Sequence, residues 1–223
     1  MKAMRRLMVL ALGLMAAPAM AQTDPVATPA PVETPTPAPA VPAAPKLPRV
    51  ALVTTAGTIV IELETIKAPI TANNFLHYVD QRRLDGVNFY RDVKVAEHFG
   101  FVQFGVLGDP KRVLPPIRHE PTTLTGLKHF DGTLSLARLA PGTGAGDFTI
   151  SVGDQLSFDA DPTQKGDNLG YATFGRVVEG MDVVMKIFNA PVSPSAMVLG
   201  TFKGEVPVAP VKVLTARRIP TGK

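Results

Sequence analysis

The chain contains no cysteine. That excludes a disulfide framework, a cysteine-ligated metal site and a lipid anchor on a cleavage-site cysteine. Without disulfides the chain must be held by its own core, so a sizeable core is expected. A strong charge of one sign is also missing. The 223 residues carry 23 Lys+Arg against 19 Asp+Glu. Three of the basic residues (Lys2, Arg5 and Arg6) and no acidic residue precede Gln22, which leaves 20 against 19 beyond that point. A near-neutral chain with no basic stripe gives no reason to expect a nucleic-acid partner. No internal repeat is present, and past the first residues no apolar run approaches the ~20 residues of a spanning helix.

The familiar catalytic patterns are absent too. His77, His98, His119 and His129 are scattered, with no HExxH-like pair, so no metal is expected. There is no GxSxG around any serine. "GTGAG" at 142–146 lacks both the spacing and the lysine of a phosphate loop, and strand-like "DFTIS" follows it. Asp154, Asp159, Asp161 and Asp167 form an acidic stretch without EF-hand spacing, which reads as a solvated loop.

The ends are informative. Lys2, Arg5 and Arg6, an apolar run from Leu7 to Met15, and Ala19-Met20-Ala21 have the layout of a secretory signal peptide over residues 1–21. Export is therefore expected. Residues 22–48 alternate proline, alanine and threonine, a composition that forms neither helix nor ladder and predicts an extended linker. One domain remains, over residues 49–220.

Within that domain, Val50, Leu52, Ile59, Ile61 and Leu63 recur at period two on either side of Ala56-Gly57, which predicts a hairpin. Ile70, Phe75, Leu76 and Val79 share one face of a helix opening at Pro69 or Thr71 and ending before Gly86. Short strands are expected at 88–93, 101–106, 132–137, 148–152, 172–177 and 210–219. A second helix from Gly180 would bury Met181, Val184, Met185 and Phe188 on one face. Many short strands and two isolated helices predict a mainly β fold, a closed eight-stranded antiparallel barrel capped by two α-helices.

Three segments resemble the cyclophilin family of peptidyl-prolyl cis-trans isomerases: "TTAGTIVIELETIKAPITANNFLHYV", "GTLSLARLAPGTGAGDFTISVGDQLSFD" and "GYATFGRVVEGMDVVMKI". The resemblance spans about Arg49 to Ile219 and is closest to the short periplasmic bacterial forms, which makes the periplasm the expected location. It implies a groove on the barrel's outer wall. Phe89-Tyr90-Arg91 matches the family's Phe-His-Arg, which makes Arg91 the catalytic arginine, and Gln103 falls on the glutamine that orients the peptide. Arg138 takes a substrate-backbone position, with Ala137 before it. Phe148 is the first of the family's paired phenylalanines, and Thr149 stands in place of the second. Phe158 and Tyr171 take pocket positions, while Ser157 stands where the family has a tryptophan. About four extra residues between Arg91 and Gln103 leave both Phe99 and Phe101 as candidates for the pocket phenylalanine.

Rotation about an X-Pro bond breaks no covalent bond, so an arginine and a glutamine in an apolar setting suffice. The implied enzyme needs no cofactor, works as a monomer and acts on proline-containing segments of unfolded or exported proteins. One other reading stays open: Thr149 and Ser157 also suit a non-catalytic proline-peptide-binding chaperone or envelope scaffold module. A ligand-carrying barrel would require an open interior, and the bulky inward residues and second helix expected here argue against it. Taken singly, Arg91 could form an ordinary surface ion pair with Asp92 or Glu97, Gln103 could be a plain strand residue, and the phenylalanines could be core.

Overall fold

The computed structural model describes residues 46–220. The expected signal peptide and residues 22–45 of the expected linker lie outside the described residues. Among those described, no helix is long and apolar enough to cross a membrane.

The hairpin forms as the period-two pattern predicts. Strand β1 (Arg49–Thr54) pairs antiparallel with β2 (Gly57–Leu63), and Val50, Leu52, Ile59, Ile61 and Leu63 are fully buried. The Thr54 hydroxyl closes the turn, donating to the Gly57 carbonyl at 2.7 Å and accepting from the Ala56 amide at 3.1 Å. Helix α1 (Pro69–Asp80) starts on Pro69, whose missing N–H costs nothing in a first turn. No local side chain caps it. The buried Glu120 carboxylate does so from 49 residues away, accepting from the Thr71 amide and hydroxyl, each at 2.7 Å, and from the Ile70 amide at 3.2 Å. A carboxylate there also complements the positive end of the helix dipole.

Strands β3 (Asn88–Ala96) and β4 (Phe99–Gly105) form a long hairpin. The extra residues after Arg91 lengthen this ladder as far as the Ala96–Phe99 pair and do not form a loop. After a single-turn α2 (Thr122–Thr125) come β5 (Thr133–Leu136), β6 (Asp147–Val152), a 3-10 turn at Leu156–Phe158, β7 (Ala172–Glu179) and α3 (Met181–Phe188). Gly180 opens α3 at φ 86°, where a Cβ would lie 2.3 Å from the Thr58 carbonyl oxygen, so only glycine fits. The buried face of α3 is Val183, Val184, Ile187 and Phe188, while Met181 and Met185 pack at its margin.

Residues 189–212 hold what sequence periodicity does not reveal, a nested hairpin of four two-residue strands. Here β8 (Val192–Ser193) pairs with β11 (Val206–Pro207), and inside them β9 (Met197–Val198) pairs with β10 (Phe202–Lys203). The chain then enters β12 (Val213–Ile219).

The principal sheet has eight antiparallel strands in the order β12-β1-β2-β7-β5-β6-β4-β3. It is curled but open, where the sequence predicts a closed barrel. Its edge strands β3 and β12 share no ladder. They meet near one end, where the Phe89 amide donates to the Val211 carbonyl and the Val213 amide to that of Val87, both at 2.8 Å. Further along β3, Glu205 takes the edge instead, its carbonyl accepting from the Asp92 amide at 2.8 Å. The nested hairpin thus sits where a closing ladder would run. The interior is packed with Phe75, Tyr78, Phe89, Phe104, Phe148 and Phe174, all fully buried. Phe148 meets Phe75 edge to face at 4.9 Å. So filled an interior does not suit a ligand-carrying barrel.

Candidate active site

Strand pairing lines up a polar row on the outer face of the sheet. Arg91 of β3 sits opposite Gln103 of β4, Gln103 opposite Thr149 of β6, and Thr149 opposite Ser135 of β5. Because side chains alternate along a strand, the next row, Asp92, Val102, Ile150 and Leu134, points into the core. The outer row lines a cleft of about 720 Å³ together with Phe101, Phe158, Tyr171, Arg138 and, from the nested hairpin, Leu199 and Phe202.

Arg91 is held in the cleft from several sides. Its Nη1 donates to Gln103 Oε1 at 3.2 Å, and its Nε donates to Glu205 Oε2 at 2.5 Å. The Phe202 ring centroid lies 3.6 Å from Cζ, and that of Phe101 5.2 Å. The ion pair is therefore with Glu205, which the sequence does not suggest, and not with Asp92 or Glu97. Arg91 Nη2 has no hydrogen-bond partner among the described residues.

Next to Gln103, the Ser135 and Thr149 hydroxyls share a hydrogen bond of 2.8 Å and make a small polar floor. Apolar walls rise beside it. Phe158 packs edge-on against Phe101 at 5.9 Å and against Tyr171 at 5.4 Å. At the opposite rim, Tyr90 donates its hydroxyl to Asp147 Oδ1 at 3.0 Å, and Asp147 also accepts from the Leu107 amide. Burial first, then the Asp147 charge, raises the Tyr90 phenol well above its usual range. Burial likewise raises the Asp147 carboxyl, against the pull of its two donors.

The predicted site residues divide. Arg91, Gln103, Phe101, Arg138, Thr149, Phe158 and Tyr171 all line the cleft. Phe148 does not. It is fully buried in the core, because its neighbour Thr149 belongs to the outward row and adjacent residues point to opposite faces. Phe99 also lies away from the cleft, at the far end of the β3–β4 hairpin and partly exposed, so Phe101 is the cleft phenylalanine of the two. Arg138 is in the cleft wall, but its donors are engaged. They form a bidentate pair with Asp167 at 2.8 and 2.9 Å and reach the Gly170 and Leu139 carbonyls. This pairing, first among the causes, lowers the Asp167 carboxyl to about 2. Ser135, Phe202 and Glu205 escape sequence reading. Strand register could have found Ser135, whereas nothing local marks the other two.

In fold, the chain is similar to a cyclophilin-type peptidyl-prolyl cis-trans isomerase of Cryptosporidium parvum, with a TM-score of 0.62 at 19% identity over 79% of this chain and 99% of that one. In sequence it is 37% identical over 172 residues to a peptidyl-prolyl cis-trans isomerase of Acinetobacter baylyi, covering 75% of this chain and 84% of that protein. It is 34% identical over 171 residues to peptidyl-prolyl cis-trans isomerase B of Escherichia coli, covering 74% and 98%. The pattern of the family described as cyclophilin type peptidyl-prolyl cis-trans isomerase/CLD matches residues 49–218. The chain belongs to that family, and its activity is the isomerisation of peptidyl-prolyl bonds.

Proposed function

We propose that Arg91 is the catalytic donor of this isomerase and that Gln103 orients the bound peptide, during the folding of exported proteins. A planar X-Pro amide resists rotation by ~18–20 kcal/mol. Halfway round, resonance is lost and the prolyl nitrogen gains a lone pair, which a guanidinium N–H can meet. That hydrogen bond is largely absent from the planar ground state, so it lowers the barrier without merely tightening binding. The supporting observation is the position of Arg91, at the end of the outward row with Nη2 lacking a hydrogen-bond partner among the described residues. Phe101, Phe158 and Tyr171 are the apolar surfaces available to hold a proline ring, over the Thr149–Ser135 floor.

An isomerisation assay on residues 22–223 with Arg91→Ala alongside tests these roles. Losing one transition-state donor is expected to cost about 10²–10³ in kcat/KM. A variant that keeps full activity would remove Arg91 from the chemistry. The layout of residues 1–21 supports export to the periplasm. The N-terminal sequence of the protein recovered from that compartment should begin at Gln22. Sedimentation should give the mass of a monomer.

A further inference from the structure

The nested hairpin reaches Arg91 from more than 100 residues away and makes two contacts with the same guanidinium. Glu205 holds Nε by a charged hydrogen bond, and Phe202 lies over Cζ at 3.6 Å. Neither contact is a loose surface encounter. The Arg91 side chain is 14% exposed and that of Glu205 28%. The Glu205 carbonyl is tied to the Asp92 amide, one residue from Arg91, so carboxylate and guanidinium are held by the same stretch of backbone. Phe202 is fixed through its pairing with Val198, and Val206, next to Glu205, through its pairing with Ser193.

These contacts act on what a guanidinium must do in this reaction. It carries five N–H donors in a rigid planar fork, so fixing any two edges fixes the direction of the third. Gln103 fixes Nη1, Glu205 fixes Nε, and the Phe202 ring resists rotation of the plane by stacking on it. Nη2 is left as the only guanidinium nitrogen without a partner among the described residues. The polar edge made by β3 and β4 would leave the fork free to turn about Nη1, and the hairpin removes that freedom.

We infer that Glu205 and Phe202 are positioning residues for the isomerisation, orienting the Arg91 guanidinium so that Nη2 is presented to the prolyl nitrogen. The inference rests on Arg91 being the donor. Neither residue need touch the peptide. Their contribution lies in the alignment of a hydrogen bond that forms in the transition state, where a small misplacement is costly.

The test measures catalysed exchange of an Ala-Pro peptide by NMR, separating peptide affinity from turnover, in Glu205→Ala, Glu205→Gln and Phe202→Leu. Glu205→Ala is expected to lower turnover about tenfold, equivalent to 1.4 kcal/mol of barrier, with affinity little changed. Glu205→Gln keeps an acceptor oxygen and should recover part of the loss. Phe202→Leu keeps an apolar cover while losing the ring face, and guards against a hairpin that fails to fold. In an Arg91→Ala background, Glu205→Ala should add no further loss, because the group it orients is gone. Wild-type turnover in both Glu205→Ala and Phe202→Leu would overturn the inference, as would a loss confined to affinity or one equally large without Arg91. If Arg91→Ala itself stays active, the donor assignment falls and the inference falls with it. Loss in Arg91→Ala with none in the hairpin variants removes the inference alone.

Discussion

Arg91 and Asp92 are neighbours in the chain, carry opposite charges and lie on opposite faces of one strand. Arg91 points outward to a carboxylate, an amide oxygen and two aromatic rings. Asp92 points inward into a row shared with Val102, Ile150 and Leu134, is 2% exposed, and neither of its carboxylate oxygens finds a hydrogen-bond partner among the described residues. The strand therefore holds one well-supported charge and one carboxyl without support, a single residue apart. Burial of a charge is tolerable when partners converge on it, and costly when they do not. The difference between the two sites is set by what other elements bring to each face.

Asp92 gives the largest expected effect. Burial alone raises its carboxyl from the usual 3.8 to about 7. A carboxyl with a raised folded-state value binds its proton more tightly folded than unfolded. Its unfavourable contribution is absent below about pH 4, grows as pH rises towards 7, and is complete above that. A difference of this size is on the order of 4 kcal/mol. Asp92→Val, similar in shape and suited to a strand, should stabilise the domain by roughly that amount at pH 8 and by much less at pH 4. Denaturant unfolding of both proteins across that range checks it. Asp147, raised by burial in the same direction, remains in both and leaves a shared slope to subtract. Parallel pH profiles for variant and wild type would show that Asp92 is solvated or paired after all.

Next in size is Arg91→Lys, which keeps the charge at the outer site and removes the fork. A lysine ammonium is a compact point charge that cannot meet Glu205 and Gln103 in the same plane while presenting a third donor in a fixed direction. With Arg91 as the proposed donor, turnover should fall about 10²-fold, close to the loss expected for Arg91→Ala, while the ion pair with Glu205 keeps the melting temperature near that of wild type. Near-normal turnover in this variant would mean that charge alone serves the reaction, and the contrast between the two faces would lose its catalytic meaning.

What the sequence discloses of this arrangement follows the range of each signal. The hairpin at Ala56-Gly57, α1 from Pro69, α3 from Gly180 and the strands of the principal sheet carry their own periodicity or turn residues, and they form close to where those predict. The Glu120 cap on α1 and the Glu205 partner of Arg91 lie 49 and 114 residues away, beyond any local pattern. Strands of two residues, as in the nested hairpin, have no period to detect, so the pattern of longer strands predicts a closed barrel where the sheet is open and the hairpin lies against the β3 edge. Phe148 is a different case. Alternation from Gln103 through its partner Thr149 already places Phe148 inward, but likeness to a pair of pocket aromatics points the other way. Strand parity is the sounder guide there, because it is imposed by backbone geometry.

The smallest effect is expected at the second arginine of the cleft. Arg138 lines the same cavity as Arg91, and resemblance places it against the substrate backbone, yet its donors already serve Asp167, Gly170 and Leu139. It ties the segment ending at Gly170 to the residues after β5, and its Cζ lies 5.4 Å from the Tyr171 ring. Losing it should loosen one cleft wall without removing a donor from the reaction. Arg138→Ala is therefore expected to lower kcat/KM by less than about tenfold, or 1.4 kcal/mol, and to do so through weaker peptide affinity at nearly unchanged turnover. NMR exchange at saturating peptide separates the two. A fall in turnover as deep as that of Arg91→Ala would mean that Arg138 exchanges its Asp167 pair for the substrate, making two arginines, not one, the working groups of this cleft.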